Sequence, residues 1–168
     1  SQDRIVVDCI RSWVENKSVQ LRSPYATRPW QHVLEPLSGY LTLGMALKKD
    51  HQLHGESFNF GPRSEQNHTV LELIVDLGRL WGFKDKSYFS INEDSPPFHE
   101  AGLLKLNCDK ALIHLNWLPN YPYMKTIEAV GEWYNHYYKK DRDMFDFTRA
   151  QINEYETSAV DKGLGWTI

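Results

Sequence analysis

A shortage of strand limits this chain more than any other feature. The extended-prone runs are Val19 to Arg22, Phe58 to Phe60, Ser87 to Ile91 and Leu103 to Leu106, and the sequence around them is largely helical in pattern. A sheet made of so few and such short strands has open edges and little independent stability. The expectation is a helix-rich α/β chain with a few short strands, whose partner strands lie in another stretch of protein.

The helical segments are easier to place. Ile5 to Val14 carries apolar residues at 6, 9, 10, 13 and 14, a helical stripe. A second helix is predicted to begin near Pro36, a residue suited to a first turn, and to run to Lys49 with Leu37, Leu41, Met45 and Leu47 turned inward. Thr69 and Glu72 form a capping box before Val70, Leu73, Ile74, Leu77, Leu80 and Trp81, and Gly82 is placed to stop that helix. Further helices are predicted around 109–116, 124–139 and 144–157. Residues 1–158 read as one domain and 159–168 as a tail. The wide apolar face of the 70–81 helix and the unpartnered Phe58–Phe60 run predict that the chain self-associates.

Charge removes two classes of partner. With 19 Lys and Arg against 22 Asp and Glu, the net charge is −3, so general attraction to nucleic acid or to an anionic membrane is not expected. No apolar run is long enough to span a bilayer. Cys9 and Cys108 stand far apart without a CxxC and read as free thiols; with no h-region in the first residues given, a cytoplasmic protein is the expectation. Ser1-Gln2-Asp3-Arg4 runs straight into Ile5-Val6-Val7 and reads as a chain entered in the middle.

Recognition chemistry is densest in Leu21-Arg22-Ser23-Pro24-Tyr25-Ala26-Thr27-Arg28-Pro29-Trp30-Gln31-His32-Val33. Two prolines stiffen this stretch, two arginines offer planar forks of donors suited to phosphate oxygens, and Tyr25 and Trp30 offer faces for a base or ribose.

Arg28 to Val33, continued by Leu34-Glu35-Pro36-Leu37-Ser38-Gly39-Tyr40-Leu41, resembles a segment of the CDP-glucose 4,6-dehydratases within the extended short-chain dehydrogenase/reductase superfamily. The same holds for Asp3-Arg4-Ile5-Val6 with Asp8-Cys9-Ile10-Arg11, for Asn59-Phe60-Gly61-Pro62, for His99-Glu100-Ala101 through Leu104 to Ala111 with Trp117, and for Glu132-Trp133-Tyr134. These motifs keep the family's order from about residue 3 to 155. The resemblance implies the C-terminal, nucleotide-sugar-binding portion of such an enzyme, with the Rossmann half missing. It implies a parent reaction of deoxysugar and O-antigen biosynthesis: NAD-assisted dehydration of CDP-glucose to a 4-keto-6-deoxy sugar. NAD would be bound by the missing half, and no cofactor is expected in this chain alone. The implied partners are the nucleotide-sugar substrate, a complementary N-terminal half and further copies of the enzyme in a homo-oligomer.

Position by position, the resemblance implies that Arg28 contacts the nucleotide or its diphosphate and that Arg4 and Arg22 line the same pocket. It places Asn67 near the nucleotide and His99 in the pocket as part of the late motif. Where many thymidine-type relatives carry an arginine shortly before that histidine, this chain has Pro96-Pro97, so diphosphate neutralisation leans on Arg28 and Arg22. Catalytic residues are expected in the missing half. Gly163-Leu164-Gly165 follows no strand and opens no helix, unlike a dinucleotide-binding turn. Tyr121 and Lys125 satisfy YxxxK literally, but Pro122 lies between them and they are not one turn apart on a helix. His51 and His54 lack a third ligand nearby for a metal. The aromatic run 133–138 has the spacing of packing residues. A second reading stays open: a freestanding nucleotide-sugar-binding or interaction module without catalysis.

Overall fold

A computed structural model describes residues 4–91 and 102–167. Helix α1 (Ile5–Val14) leads into the short strand β1 (Val19–Leu21), then β2 (Thr27–Arg28) and helix α2 (Leu34–Lys49). Strand β3 (His68–Thr69) runs directly into α3 (Val70–Trp81), followed by β4 (Phe89–Ile91), α4 (Asp109–Leu115), α5 (Tyr123–Lys139) and α6 (Met144–Asp161). The strands make two separate pairs. β1 lies parallel to β4 with Val19 opposite Phe89 and Leu21 opposite Ile91. β2 lies antiparallel to β3 with Thr27 opposite Thr69 and Arg28 opposite His68. This is a helix-rich α/β fold with few short strands.

The capping box forms as the sequence predicts. Thr69 Oγ1 accepts from the Glu72 amide at 3.1 Å, Glu72 Oε2 accepts from the Thr69 amide at 2.7 Å, and Gly82 ends α3 at φ 106°. The apolar face of α3 is covered from inside the chain. Leu73, Ile74 and Leu77 bury against Cys9, Ile10 and Trp13 of α1 and against Tyr123 and Ile127 of α5. Trp13 anchors this core, its indole donating to the Tyr88 carbonyl at 3.0 Å and its ring meeting Phe83 and Tyr88 edge-on. That stripe therefore offers no free face for self-association, because α1 and α5 already occupy it.

Two of the predicted strands do not form. Residues 58–60 belong to no strand, and of 103–106 only Leu103 makes an isolated bridge, to Thr27. Side chains hold this stretch instead: Gln31 Nε2 donates to the Phe60 carbonyl at 3.0 Å and Asn59 Nδ2 to the Asn107 carbonyl at 3.2 Å.

Helix α2 is rotated from its expected facing. Leu37, Leu41 and Met45, predicted inward, are exposed, and the helix buries Glu35, Ser38, Gly39 and Thr42. Two contacts cause this. The Phe60 ring lies so close to Gly39 that a Cβ there would come within 2.3 Å of it, so only glycine admits the ring. Glu35 and Ser38 meanwhile bond to the 117–121 stretch and α6. Gly39→Ala is expected to cost about 1–3 kcal/mol through overpacking, measured as a lower urea midpoint at unchanged slope.

The C-terminal segment packs closely. Ala159 is fully buried, Trp166 donates to the Leu118 carbonyl at 3.0 Å, and its ring stacks on Tyr155 with centroids 5.8 Å apart. No helix among the described residues is long and apolar enough to cross a membrane.

Candidate functional site

The proline-stiffened stretch 22–30 folds back on the start of α3. The Val70 amide donates to the Ala26 carbonyl at 3.0 Å and the Leu71 amide to the Pro24 carbonyl at 2.8 Å, while the Thr27 amide donates to Gly102 at 2.9 Å. These bonds hold β2 against β3, and Trp30 is pinned by its indole N–H on the His68 carbonyl at 2.9 Å. Arg28 is thereby a strand residue rather than a loop residue. Its Nη1 donates to the Thr27 carbonyl at 2.8 Å, which leaves the guanidinium half-buried at the end of a short strand.

An open cleft of ≈ 320 Å³ lies between this strand, β1 and the first turn of α1. Arg22, Arg28 and Trp30 line it with Asp8, Gln20 and Ser23. Two guanidinium groups beside an indole face can take an anionic diphosphate and a stacked ring. Arg22 is exposed and pairs with no carboxylate among the described residues. Asp8 works against an anion and sets a polar limit on one side of the cleft.

The predicted site residues divide. Arg22 and Arg28 come together in the cleft. Arg4 is exposed and precedes α1; its neighbour Ile5 lines the cleft, but Arg4 does not. Asn67 is exposed next to His68, the residue paired with Arg28, and is not among the lining residues. His99 lies outside the described residues. Gln20 and Ser23 escaped the sequence reading, since neither polar type nor spacing distinguishes them from solvated turn residues.

His32 belongs to the core rather than to the cleft. It is buried beside the Tyr121 ring, its Nδ1 accepts from the Leu34 amide at 3.3 Å, and burial holds its imidazole below the usual range. Tyr121 precedes α5 and Lys125 lies in its first turn. Lys125 is engaged by Glu154 at 2.5 Å, and burial pushes the Tyr121 phenol up to about 12, away from the range a base needs at neutral pH. Among the described residues no three potential ligands gather into a metal site; His51 and His54 face each other, and His54 Nε2 is bonded to the Leu47 carbonyl at 2.9 Å.

A second polar cluster went unseen in the sequence. Glu35 is 1% exposed. Its Oε1 accepts from the Tyr121 amide at 2.7 Å, and its Oε2 from the Asn120 amide and the Tyr155 hydroxyl, each at 2.9 Å. Lys162 Nζ continues the chain onto the Asn120 carbonyl and Oδ1 at 2.7 and 2.8 Å. Burial raises the Glu35 carboxyl, opposed by the two amides, the phenol and the Lys162 charge. This cluster ties α2 to α6 through the intervening chain, with Glu35, Asn120 and Tyr155 buried and the exposed Lys162 at its edge, and it serves as architecture. A carboxylate at the second position of a helix carries no signal that it will be buried.

The glycine pair near the C-terminus is also used in packing. Leu164 is buried, and a Cβ on Gly165 would overlap the Asn116 side chain at 1.8 Å. Among the described residues no strand, glycine-rich turn and helix follow one another in the way a dinucleotide-binding turn requires.

Comparison with known proteins assigns the likeness. No protein-family profile matches the chain. It is 40% identical over 161 residues to the CDP-glucose 4,6-dehydratase of Salmonella typhimurium, a match covering 95% of this chain and 44% of that protein, its C-terminal part. The chain thus spans less than half the length of this relative. Two solved structures share the fold. The dTDP-glucose 4,6-dehydratase of Bacillus anthracis in complex with NAD aligns at TM-score 0.61 and 20% identity, covering 79% of this chain and 39% of that one. The PbgP3 protein of Burkholderia pseudomallei aligns at 0.62 and 15% identity, covering 86% and 42%.

Proposed function

We propose that this chain is the substrate-holding part of a nucleotide-sugar dehydratase that acts on CDP-glucose. The observation that carries the reading is the 40% identity running through 95% of the chain to a CDP-glucose 4,6-dehydratase. The cleft supports it by bringing Arg22, Arg28 and Trp30 onto one wall. The arginines would take the diphosphate oxygens through forked, charge-assisted bonds, and the indole would stack on the base or ribose. The family resemblance also assigns Asn67, Arg4 and His99 to the nucleotide, a role separate from the lining of this cleft. The role is positional: holding the sugar in register with a cofactor carried by another part of the enzyme.

The parent reaction oxidises C4 of the hexose, loses water across C5 and C6, and returns hydride at C6. This chain would supply none of those steps. The test is incubation with NAD and CDP-glucose, with and without a complementary N-terminal half, following the 4-keto sugar. Product is expected only from the combination. Turnover by this chain alone, or no CDP-glucose binding by the assembled pair, overturns the reading.

A further inference from the structure

The cleft beside α1 mixes groups of opposite chemistry. Arg22 and Arg28 offer only donors, Gln20 and Ser23 can donate or accept, and Asp8 only accepts. A cleft that took phosphate alone would be poorly served by a carboxylate, which repels the anion. Asp8 stands one turn after Ile5 on α1, and both line the cleft. Among the described residues no donor is bonded to the Asp8 side chain, although two arginines share its cleft. An acid in a first helical turn is ordinary, since it complements the helix dipole. That role needs no place in the cleft, and it leaves the acceptor open to a donor on a ligand.

The other lining groups suit a base. Val19 and Leu21 of β1 add apolar surface, and Trp30 offers its ring rather than its N–H, which the His68 carbonyl holds at 2.9 Å. At ≈ 320 Å³ the cleft is small for a ligand pocket, which favours a one-ring base over a purine. Among one-ring bases an acceptor discriminates. Cytosine carries an amino group at C4, with two N–H donors, where uracil and thymine carry a carbonyl. A carboxylate accepts from the amino group and repels the carbonyl. The ring N–H of uracil is no substitute, because it lies between two carbonyl oxygens that the carboxylate would face at once.

We infer that Asp8 selects the cytosine base, accepting a hydrogen bond from its C4 amino group while Arg22 and Arg28 hold the diphosphate. The inference rests on the proposed function. It adds to that reading the group that tells a cytidine nucleotide from its uridine and thymidine counterparts. The acid and the two arginines then act on opposite ends of one ligand. Gln20 and Ser23 cannot make the choice, because an amide or a hydroxyl adapts to either a donor or an acceptor. Selection here works by repulsion of the wrong base as much as by attraction of the right one.

The test titrates CDP, UDP, dTDP and ADP into the assembled enzyme by calorimetry. CDP is expected to bind at least about 30-fold more tightly than UDP or dTDP, the scale of a hydrogen bond to a charged group, and more tightly than ADP. Asp8→Asn should bring CDP and UDP within about 3-fold of each other, because an amide can turn either its oxygen or its NH₂ to the base. Asp8→Ala should weaken CDP and strengthen UDP, since the bond and the repulsion are both removed. A merely structural Asp8 would lower the melting temperature of the variants without moving that ratio. One arm needs no variant: the diphosphate of the 2-pyrimidinone riboside, with hydrogen in place of the amino group, should bind the wild type at least about 10-fold more weakly than CDP. A wild type without preference for CDP over UDP, ADP bound as tightly as CDP, the 2-pyrimidinone analogue bound as tightly as CDP, or a preference that survives in both variants would each overturn the proposal. CDP bound without preference sinks this inference alone, whereas binding of none of these nucleotides sinks the functional reading and this inference with it.

Discussion

Replacing Arg28 by alanine is expected to weaken binding of CDP-glucose to the assembled enzyme by about 2–4 kcal/mol, the cost of removing one partner of a desolvated charged pair. The position supports an effect of this size. Arg28 is half-buried at the end of β2, and Arg22 lines the same cleft. Its Nη1 already bonds the Thr27 carbonyl, which orients the group before a ligand arrives. Arg28→Lys should recover only part of the loss, because lysine keeps the charge and loses the planar fork. The same substitutions should change folding little. The bond to Thr27 is a neutral-acceptor contact on a partly exposed group, and the strand pairing with His68 is made by backbone. Titration calorimetry with CDP and with CDP-glucose decides the matter, and equal affinities for wild type and Arg28→Ala would remove Arg28 from the site.

The largest loss of stability is expected at Glu35. Glu35→Ala strips the acceptor from the Asn120 amide, the Tyr121 amide and the Tyr155 hydroxyl at once. Each is buried, so the cost should be about 3–5 kcal/mol, as for breaking a buried ionic cluster from one side. Glu35→Gln should cost less but still be destabilising, because one of its two termini becomes a donor facing donors. The pH dependence has a definite sign. Glu35 has its folded pKa raised from an ordinary value of 4.5, so the folded state holds its proton longer than the unfolded chain. Its contribution is fully present below 4.5 and is lost as pH rises through the folded value. Urea unfolding of the wild type and Glu35→Gln across pH 4 to 8 should show the wild type losing stability relative to Gln as pH rises. A parallel pair of curves would count against the raised carboxyl.

The structure also changes which apolar face is left exposed. From periodicity alone, α3 is the helix most in need of covering, since Leu73, Ile74 and Leu77 form its stripe. Those residues are covered by α1 and α5. On α2 the reverse holds: Leu37, Leu41 and Met45 look core-facing in the sequence and prove exposed. Periodicity marks which residues share a face; it does not tell which neighbour that face will meet.

What could be read before any coordinates follows the range of the interactions. The capping box at Thr69 and Glu72, the stop at Gly82 and the six helices are local signals, carried by hydrogen bonds and φ preferences a few residues apart; each forms, with α2 starting two residues before Pro36 and α6 running on to Asp161, into the stretch read as a tail. The pairing of Arg22 with Arg28 in one cleft was legible because both sit in one short, proline-stiffened stretch. The unread features all depend on distant contacts. Glu35 is buried because amides 85 and 86 residues away converge on it. Gly39 is obligatory because the Phe60 ring arrives there. The run at 58–60 has strand-forming residues but pairs with no strand among the described residues, and a strand, unlike a helix, cannot satisfy its own backbone. Helix content was thus a local matter, whereas strand pairing, the facing of α2 and the polar lock at Glu35 waited on which segments fold together.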